Sequence, residues 1–351
     1  MIQTTTEQRK IYRILDKKYI YQNLKTTKYY RKILKTIIIS HESDVDGIFS
    51  ASIAQMRYPQ GKTFFTSYGK DNILKISEIL YNEVVSSQEC GQVIISDLGL
   101  NDDMIDLFED IFTFLKSNLW SIIWLDHHPW SEKAKESAIE KGSVQLVLDK
   151  TENVCSSELM YEKFLKGNAI AEELSKIAHT TDFFTKDQEI PPLPELIVFY
   201  KTFTDFYSRI VKLTNKISRG TLWDTEMQKD YNQYIKLREQ AKVETFNKIK
   251  LFDTCNHLKV SLVPTSPYLQ ISLFSEEVFK KTNSDIAFFI NKEGKVSIRR
   301  NNDVIHCSHI AKQLLEGGGH RFAAGGRLKS NPEDIDKVIE ELKIAISNAL
   351  K

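Results

Sequence analysis

Seven residues well suited to holding divalent cations fall at three places in this sequence. His41, Asp44 and Asp46 stand together in SHESDVDG, Asp97 ends VIISD, and Asp126, His127 and His128 end IIWLDHH. Carboxylates and imidazoles without thiolate suit manganese, magnesium or iron better than a structural zinc site. Crowded carboxylates repel unless cations compensate them, because buried charge must be paired or coordinated. One aspartate at a strand end is ordinarily the N-cap of the next helix. Three such ends, carrying four Asp and three His between them, exceed what capping explains. Asp182, in IAHTTDFF, would read alone as a turn or cap residue and gains meaning only beside the other three segments.

The elements that must position these groups are legible as short apolar runs. KTIIIS (35–40), KTFFTSY (62–68), QVIISD (92–97), SIIWLD (121–126) and VQLVLD (144–149) have strand length and β-rich composition. Stretches such as 71–86 and 102–117 separate them and are long enough for crossover helices, which implies an α/β domain with a parallel sheet covered on both faces. In an open parallel sheet the carboxyl ends of the strands form one ligand-binding rim. The acids therefore belong on one edge.

The rest of the chain divides by pattern. Residues 1–34 read as a basic helical segment, with Ile11, Ile14, Leu15, Tyr19 and Leu24 as an interrupted apolar stripe. Ten Lys or Arg against two acids over 1–35 would favour polyanions, unless they form a solvated helix face. Residues 35–190 form the first domain. Prolines in KDQEIPPLPEL then break the pattern, and 191–255 reads as a helical connector interrupted by SRGTLWD. Residues 256–351 read as a smaller α+β domain with alternating runs HLKVSLVP, LQISLF, DIAFFIN and GKVSIRR, a glycine-rich loop and a closing helix. The four scattered cysteines form no CxxC pair, which argues against a disulfide framework or a thiolate zinc site. With no apolar run of signal or membrane-spanning length, the expectation is a cytoplasmic protein without a membrane partner.

Together, SHESDVDGIFSAS, ISDLG, WLDHHPW and TTDFF resemble the motifs of the DHH phosphoesterase superfamily, named for the triplet standing here as Asp126-His127-His128. GGGHRFAAGG (317–326) is similar to the signature of the DHH-associated C-terminal domain, and VSIR (296–299) to an arginine-bearing strand preceding it. The resemblance spans about 35–345 and implies a centre of two divalent metal ions, Mn2+ first, with Mg2+ or another divalent ion as substitute. It implies that His41, Asp44 and Asp97 hold one ion and that Asp46, Asp97, His127 and Asp182 hold the other, with Asp97 bridging. Asp126 would orient the neighbouring histidines, and His128 would face the substrate phosphate. One departure is the two residues between His41 and Asp44, where other branches have one or three. The chemistry of the residues agrees, since two divalent ions roughly 3.5–4 Å apart can activate water and clamp an in-line phosphoryl displacement.

In the C-terminal block, glycines let backbone approach a phosphate, and Arg299, His320 and Arg321 supply donors. Arg299, Gly318, Gly319, His320 and Arg321 are accordingly the expected substrate-binding residues, with Arg300 ranked lower because adjacent strand residues face opposite sides. The alternative is a glycine-rich turn with solvated basic residues. His306 and His309 read as ordinary helix-start residues. Trp130, Phe183, Phe184 and Phe322 lie beside motifs and could stack on bases, although core packing is the simpler role for each.

The plan is closest to the short-oligoribonuclease branch. It implies a manganese-dependent phosphodiesterase that hydrolyses short single-stranded RNA or DNA oligonucleotides, or dinucleotides, to nucleoside monophosphates; a homodimer is allowed. Alternatives within the class are a single-strand DNA exonuclease, a cyclic dinucleotide phosphodiesterase and a phosphatase of 3′-phosphoadenosine 5′-phosphate. A different class would be a non-catalytic nucleic-acid-binding factor on the same scaffold, which should have lost ligands; here every expected ligand position is filled.

Overall fold

The computed structural model describes residues 35–87, 89–149, 153–183, 192–255, 257–301, 303 and 305–350. The basic segment 1–34, Phe184 and most of the proline-rich stretch lie outside the described residues. The first lobe runs β1 (Lys35–His41), α1 (Val45–Arg57), β2 (Lys62–Thr66), α2 (Lys70–Ser87), β3 (Gly91–Ser96), α3 (Ile105–Ser117), β4 (Ser121–Asp126), α4 (Glu132–Glu136), β5 (Gln145–Leu148), α5 (Ser156–Met160) and α6 (Ala169–Asp182). Its five strands pair in the order β2-β1-β3-β4-β5, every pair parallel.

The apolar strands are buried on both faces, as a covered parallel sheet requires. Ile38, Ile94 and Leu125 pack into a core with α1 and α6 and with three connector helices, α7 (Pro192–Tyr200), α8 (Phe206–Ser218) and α9 (Thr225–Lys248). Ile37, Ile39, Val93, Ile95 and Trp124 face the other way, into a core with α2 and α3. The connector helix breaks at SRGTLWD, and a second time between Tyr200 and Phe206.

The second lobe contains β6 (Lys250–Asp253), β7 (Lys259–Pro264), α10 (Ile271–Thr282), β8 (Ile286–Ile290), β9 (Lys295–Arg300), α11 (Cys307–Ala311), β10 (Leu315–Gly319), β11 (Ala323–Arg327) and α12 (Ile335–Ala349). Its sheet runs β10-β11-β9-β8-β7-β6 and is mixed, with only β7 and β8 parallel. Two expectations fail here. LQISLF alternates like a strand, yet it opens helix α10, because Phe274, Ser275, Val278 and Phe279 continue it with the three-to-four spacing of one buried helix face. The glycine-rich block is not a loop but an antiparallel hairpin, β10 to β11. Gly319 makes it close, with φ of +129° and a position where a Cβ would stand 2.6 Å from the Ala324 Cα.

The lobes share α9. Tyr234 belongs to the first core and donates its hydroxyl to the Tyr268 carbonyl at 3.3 Å, while Ala241 and Phe246 pack with Phe274 and Val278 of the second lobe. Lys242 adds an ion pair to Glu277 at 2.7 Å. Among the described residues no helix is long and apolar enough to cross a membrane.

Candidate metal centre

The site grows from the carboxyl ends of β1, β3 and β4. His41 is the last residue of β1, and Asp44 caps α1 by accepting the Gly47 N–H at 2.9 Å. Strand and helix meet so closely that a Cβ on Gly47 would stand 2.2 Å from the His41 carbonyl oxygen. Beneath this junction Ser40, Ser50 and Ser96 join hydroxyls at 2.9–3.1 Å, with Ser40 also donating to the Gly47 carbonyl at 2.6 Å. This polar knot fixes the turn carrying His41, Asp44 and Asp46.

Asp97 is the centre of the arrangement. It follows β3 with φ of 55°, a left-handed conformation uncommon outside glycine that Asp and Asn adopt more readily than other residues. Neighbouring hydrogen bonds hold it there: Asp97 N–H to the Leu125 carbonyl at 3.1 Å, and Trp124 Nε1 to the Leu98 carbonyl at 2.8 Å. The residue is 1% exposed; Oδ1 accepts the Ser156 hydroxyl at 3.3 Å, whereas Oδ2 is buried with no hydrogen-bond partner. A buried carboxylate oxygen without a partner is costly and demands an explanation.

Two groups of donors meet at this carboxylate. Ligand atoms of His41, Asp44 and Asp97 lie within 4.8 Å of one another, and so do those of Asp97, His127 and His128. In the first group His41 Nδ1 stands 2.8 Å from Asp44 and 3.7 Å from Asp97 Oδ2, so the two-residue spacing still brings the ring to the centre. In the second, His127 Nε2 lies 3.3 Å from Asp97 Oδ1 and 3.9 Å from Asp46, while its Nδ1 lies 3.6 Å from Asp182. Asp182 therefore approaches the other ring nitrogen from Asp97. Asp46 also does structural duty, accepting the Ser156 and Ser157 N–H groups at the start of α5, each at 2.7 Å.

The electrostatics follow from crowding. Burial, then Asp46 and Asp44, push Asp97 well above the usual carboxylate range. Burial and Asp46 likewise raise Asp182 to about 6. Burial would lower His41, but Asp44 and Asp97 outweigh it and lift the imidazole to about 9; the same contact overcomes burial at Asp44 and holds that carboxyl below its ordinary value. The donor set, the orphaned oxygen and the raised carboxyls all fit divalent cations.

Asp126 is engaged on both oxygens by groups of its own segment. Its Oδ1 bonds His128 Nδ1 at 2.8 Å and its Oδ2 accepts the Trp130 indole N–H at 2.7 Å, so it orients His128 in particular. Trp130 is consequently no base-stacking surface: it is 7% exposed and packs 4.9 Å from Trp124. Phe183 is partly buried against the first core and lies 4.7 Å from the His179 ring. Sequence reading missed Tyr68, whose ring stands edge-to-face with His41 and His128 at 5.3 and 6.1 Å and whose hydroxyl accepts the Gly99 N–H at 3.2 Å. It also missed Lys201, which donates to the Ser43 carbonyl. Neither residue sits in a motif; only folding brings them near the acids.

In the second lobe, Arg299, Gly318 and Gly319 line one cavity of about 480 Å³, together with Lys295 and Arg327. His320 and Arg321 do not join that lining. Arg321 donates to the Asp303 carbonyl at 2.9 Å, and His320 stacks with Phe322, which is 61% exposed. Arg300 turns to Asp303 and to the Ile305 carbonyl, away from Arg299. His306 stands at the N-cap position of α11 without a side-chain capping bond and stacks on His309 at 4.8 Å. A second cavity, of about 150 Å³, lies against Asp44, Asp46 and Asp182, without Asp97, His127 or His128 in its lining, and Gln270, Ser272 and Leu273 of the second lobe line it rather than the glycine hairpin.

Known proteins resemble the chain in both lobes. A family model described as the DHHA1 domain matches residues 269–348. A 3′,5′-cyclic-nucleotide phosphodiesterase of Helicobacter pylori is 24% identical over 355 residues, covering 85% of this chain and 96% of the relative. Among solved structures, an exopolyphosphatase-related protein from Bacteroides fragilis aligns at 14% identity with a TM-score of 0.52, over 92% of this chain and 95% of that one. RecJ from Thermus thermophilus, in complex with Mn2+, aligns at 13% identity and a TM-score of 0.52 over 90% of this chain. The alignment takes in 52% of RecJ, so the chain spans about half of that protein. At such identities the structural matches speak to the fold alone.

Proposed function

We propose that this chain, a member of the DHH superfamily with a C-terminal DHHA1 domain, is a metal-dependent phosphodiesterase acting on short nucleotide phosphodiesters. Asp97 carries the reading: a buried carboxylate with one orphaned oxygen, shared by two groups of metal-binding side chains. His41, Asp44 and Asp97 would hold one divalent ion, and Asp97 with His127, Asp46 and Asp182 the other. When bound, such a pair of ions supplies Lewis acidity toward a phosphoryl oxygen and lowers the pKa of water. Manganese is compatible with the oxygen- and imidazole-rich donor set.

The chain's own groups do the rest. Asp126 holds the His128 ring through Nδ1 and, against burial, raises its pKa; the imidazolium this favours can donate from Nε2 to a phosphate oxygen or to the departing oxygen. Ser156 and Ser157 N–H groups anchor Asp46, so the acids hold their positions while substrate enters. The Arg299, Gly318 and Gly319 cavity suits a neighbouring phosphate or base, with glycine removing side-chain obstruction.

The substrates that fit best are linear dinucleotides and short single-stranded RNA or DNA, releasing nucleoside monophosphates. A second reading, hydrolysis of 3′,5′-cyclic nucleotides, is favoured by the Helicobacter pylori relative and by the small volume of the cavity at the acids. The test incubates the full chain and MnCl2 with RNA dimers to pentamers, matching DNA, cyclic nucleotides and 3′-phosphoadenosine 5′-phosphate. Manganese-dependent monophosphate release from dimers to pentamers is the expected result, and preferred turnover of cyclic nucleotides selects the second reading. Silence on every substrate, or activity that survives Asp126→Ala with His127→Ala, overturns the assignment.

A further inference from the structure

The cavity beside the acids has a wall that metal binding does not explain. Asp44, Asp46 and Asp182 line one side, Gln270 and Leu273 of the second lobe another, and Lys201, just after α7, contributes the only cationic side chain of the lining. Its Nζ donates to the Ser43 carbonyl, which holds the ammonium beside the Asp44 turn. Among the described residues no ion pair includes Lys201, although carboxylates stand around the same cavity and lysines elsewhere in the chain are paired readily, as Lys216 is with Asp224 and Lys242 with Glu277. An ammonium has three donors, and one is engaged by Ser43.

Charge balance indicates what the others are for. Asp44, Asp46, Asp97 and Asp182 carry four negative charges, which two divalent ions would match. Lys201, which feels Asp44 and Glu42, then stands at the mouth of a site whose four ligand carboxylates are matched, and a phosphodiester brings one further negative charge. The strongest partner for a compact ammonium is such an oxyanion. A lysine that merely propped the Asp44 turn would be explained by the Ser43 contact alone. That contact does not account for its place in the lining of a cavity that residues of both lobes share.

We propose that Lys201 is a substrate-binding residue whose ammonium takes a non-bridging oxygen of the phosphate ester, on the flank of the centre that faces the DHHA1 domain. The inference rests on the phosphodiesterase reading above. It is tested in the full chain with Lys201→Gln and Lys201→Arg, using a linear dinucleotide as substrate, adenosine 5′-monophosphate as a binding probe on the manganese-loaded protein, and a manganese titration without either. Loss of one charge-assisted hydrogen bond raises KM about tenfold or more in the Gln variant and weakens the monophosphate by a similar factor. The Arg variant recovers most of that loss, and manganese affinity stays within about twofold of the parent, the spread taken as no effect. If KM and monophosphate affinity are unaltered in Lys201→Gln, or if only manganese affinity falls, Lys201 is a prop for the Asp44 turn and the proposal fails. A parent protein inactive on the dinucleotide defeats the phosphodiesterase reading instead, and the monophosphate titration then decides the role of Lys201 by itself.

Discussion

Replacing Asp97 by Asn separates a metal-holding carboxylate from a structural one, because the two roles predict opposite changes in stability. The amide matches the carboxylate in shape, keeps an acceptor for the Ser156 hydroxyl, and suits φ of 55°, since Asn tolerates the left-handed region better than most residues. Ligand oxygens of Asp44 and Asp97 lie within 4.8 Å. Two unit charges at that separation repel by about 3.5 kcal/mol at an effective dielectric of 20. Protonation caps the penalty: a carboxyl ordinarily titrating at 3.8 sheds its charge at pH 7 for about 4 kcal/mol. His41, 3.7 Å from Asp97, offsets part of the repulsion, which leaves a relief of about 1–3 kcal/mol when the charge is removed. Urea titration in EDTA should therefore show the variant more stable than the parent. With manganese at a hundred times its Kd the parent should gain about 2.7 kcal/mol and the variant almost nothing. A variant that is less stable in EDTA, or that keeps the manganese-dependent gain, would refute the argument that the Asp97 carboxylate is buried to hold cations.

Two further substitutions probe the scaffold of the site. Trp130→Phe leaves Asp126 Oδ2 buried without its indole donor; it should cost about 1–3 kcal/mol in urea titration and reduce kcat more than manganese affinity, because the Asp126–His128 bond and not a metal contact is disturbed. Gly47→Ala would force its methyl carbon against the His41 carbonyl oxygen, at 2.2 Å before relaxation. Backbone cannot yield as a flexible side chain does, so a loss of about 3 kcal/mol or more and weakened manganese binding by calorimetry are expected; a stable, fully metal-binding variant would contradict the close approach.

Legibility in the sequence followed the range of the forces involved. His41, Asp97 and Asp126 could be placed on one rim because each follows an apolar run of strand length, and parallel order turns strand ends into neighbours. The same local reading failed at LQISLF, where three alternating residues imitate a strand. The helix is decided by Phe274, Val278 and Phe279 packing on β8 and α9, which no short window contains. Trp130 takes the core-packing role, the simpler of its two readings, with its indole committed to Asp126 and Trp124.

The sequence by itself determined the sheet, and that His41, Asp97 and Asp126 end its strands on one rim. Residue type and strand period are local properties that a chain displays before it folds. Only tertiary structure decided how the shared carboxylate is used: the left-handed turn at Asp97, its unpartnered oxygen, and the α5 amides on Asp46 from 110 positions away in the chain. It likewise decided that Lys201 and Gln270, not the glycine hairpin, line the cavity beside Asp44, Asp46 and Asp182. These are contacts between segments distant in sequence, set by packing around two cores, and no pattern in either segment encodes the distance between them.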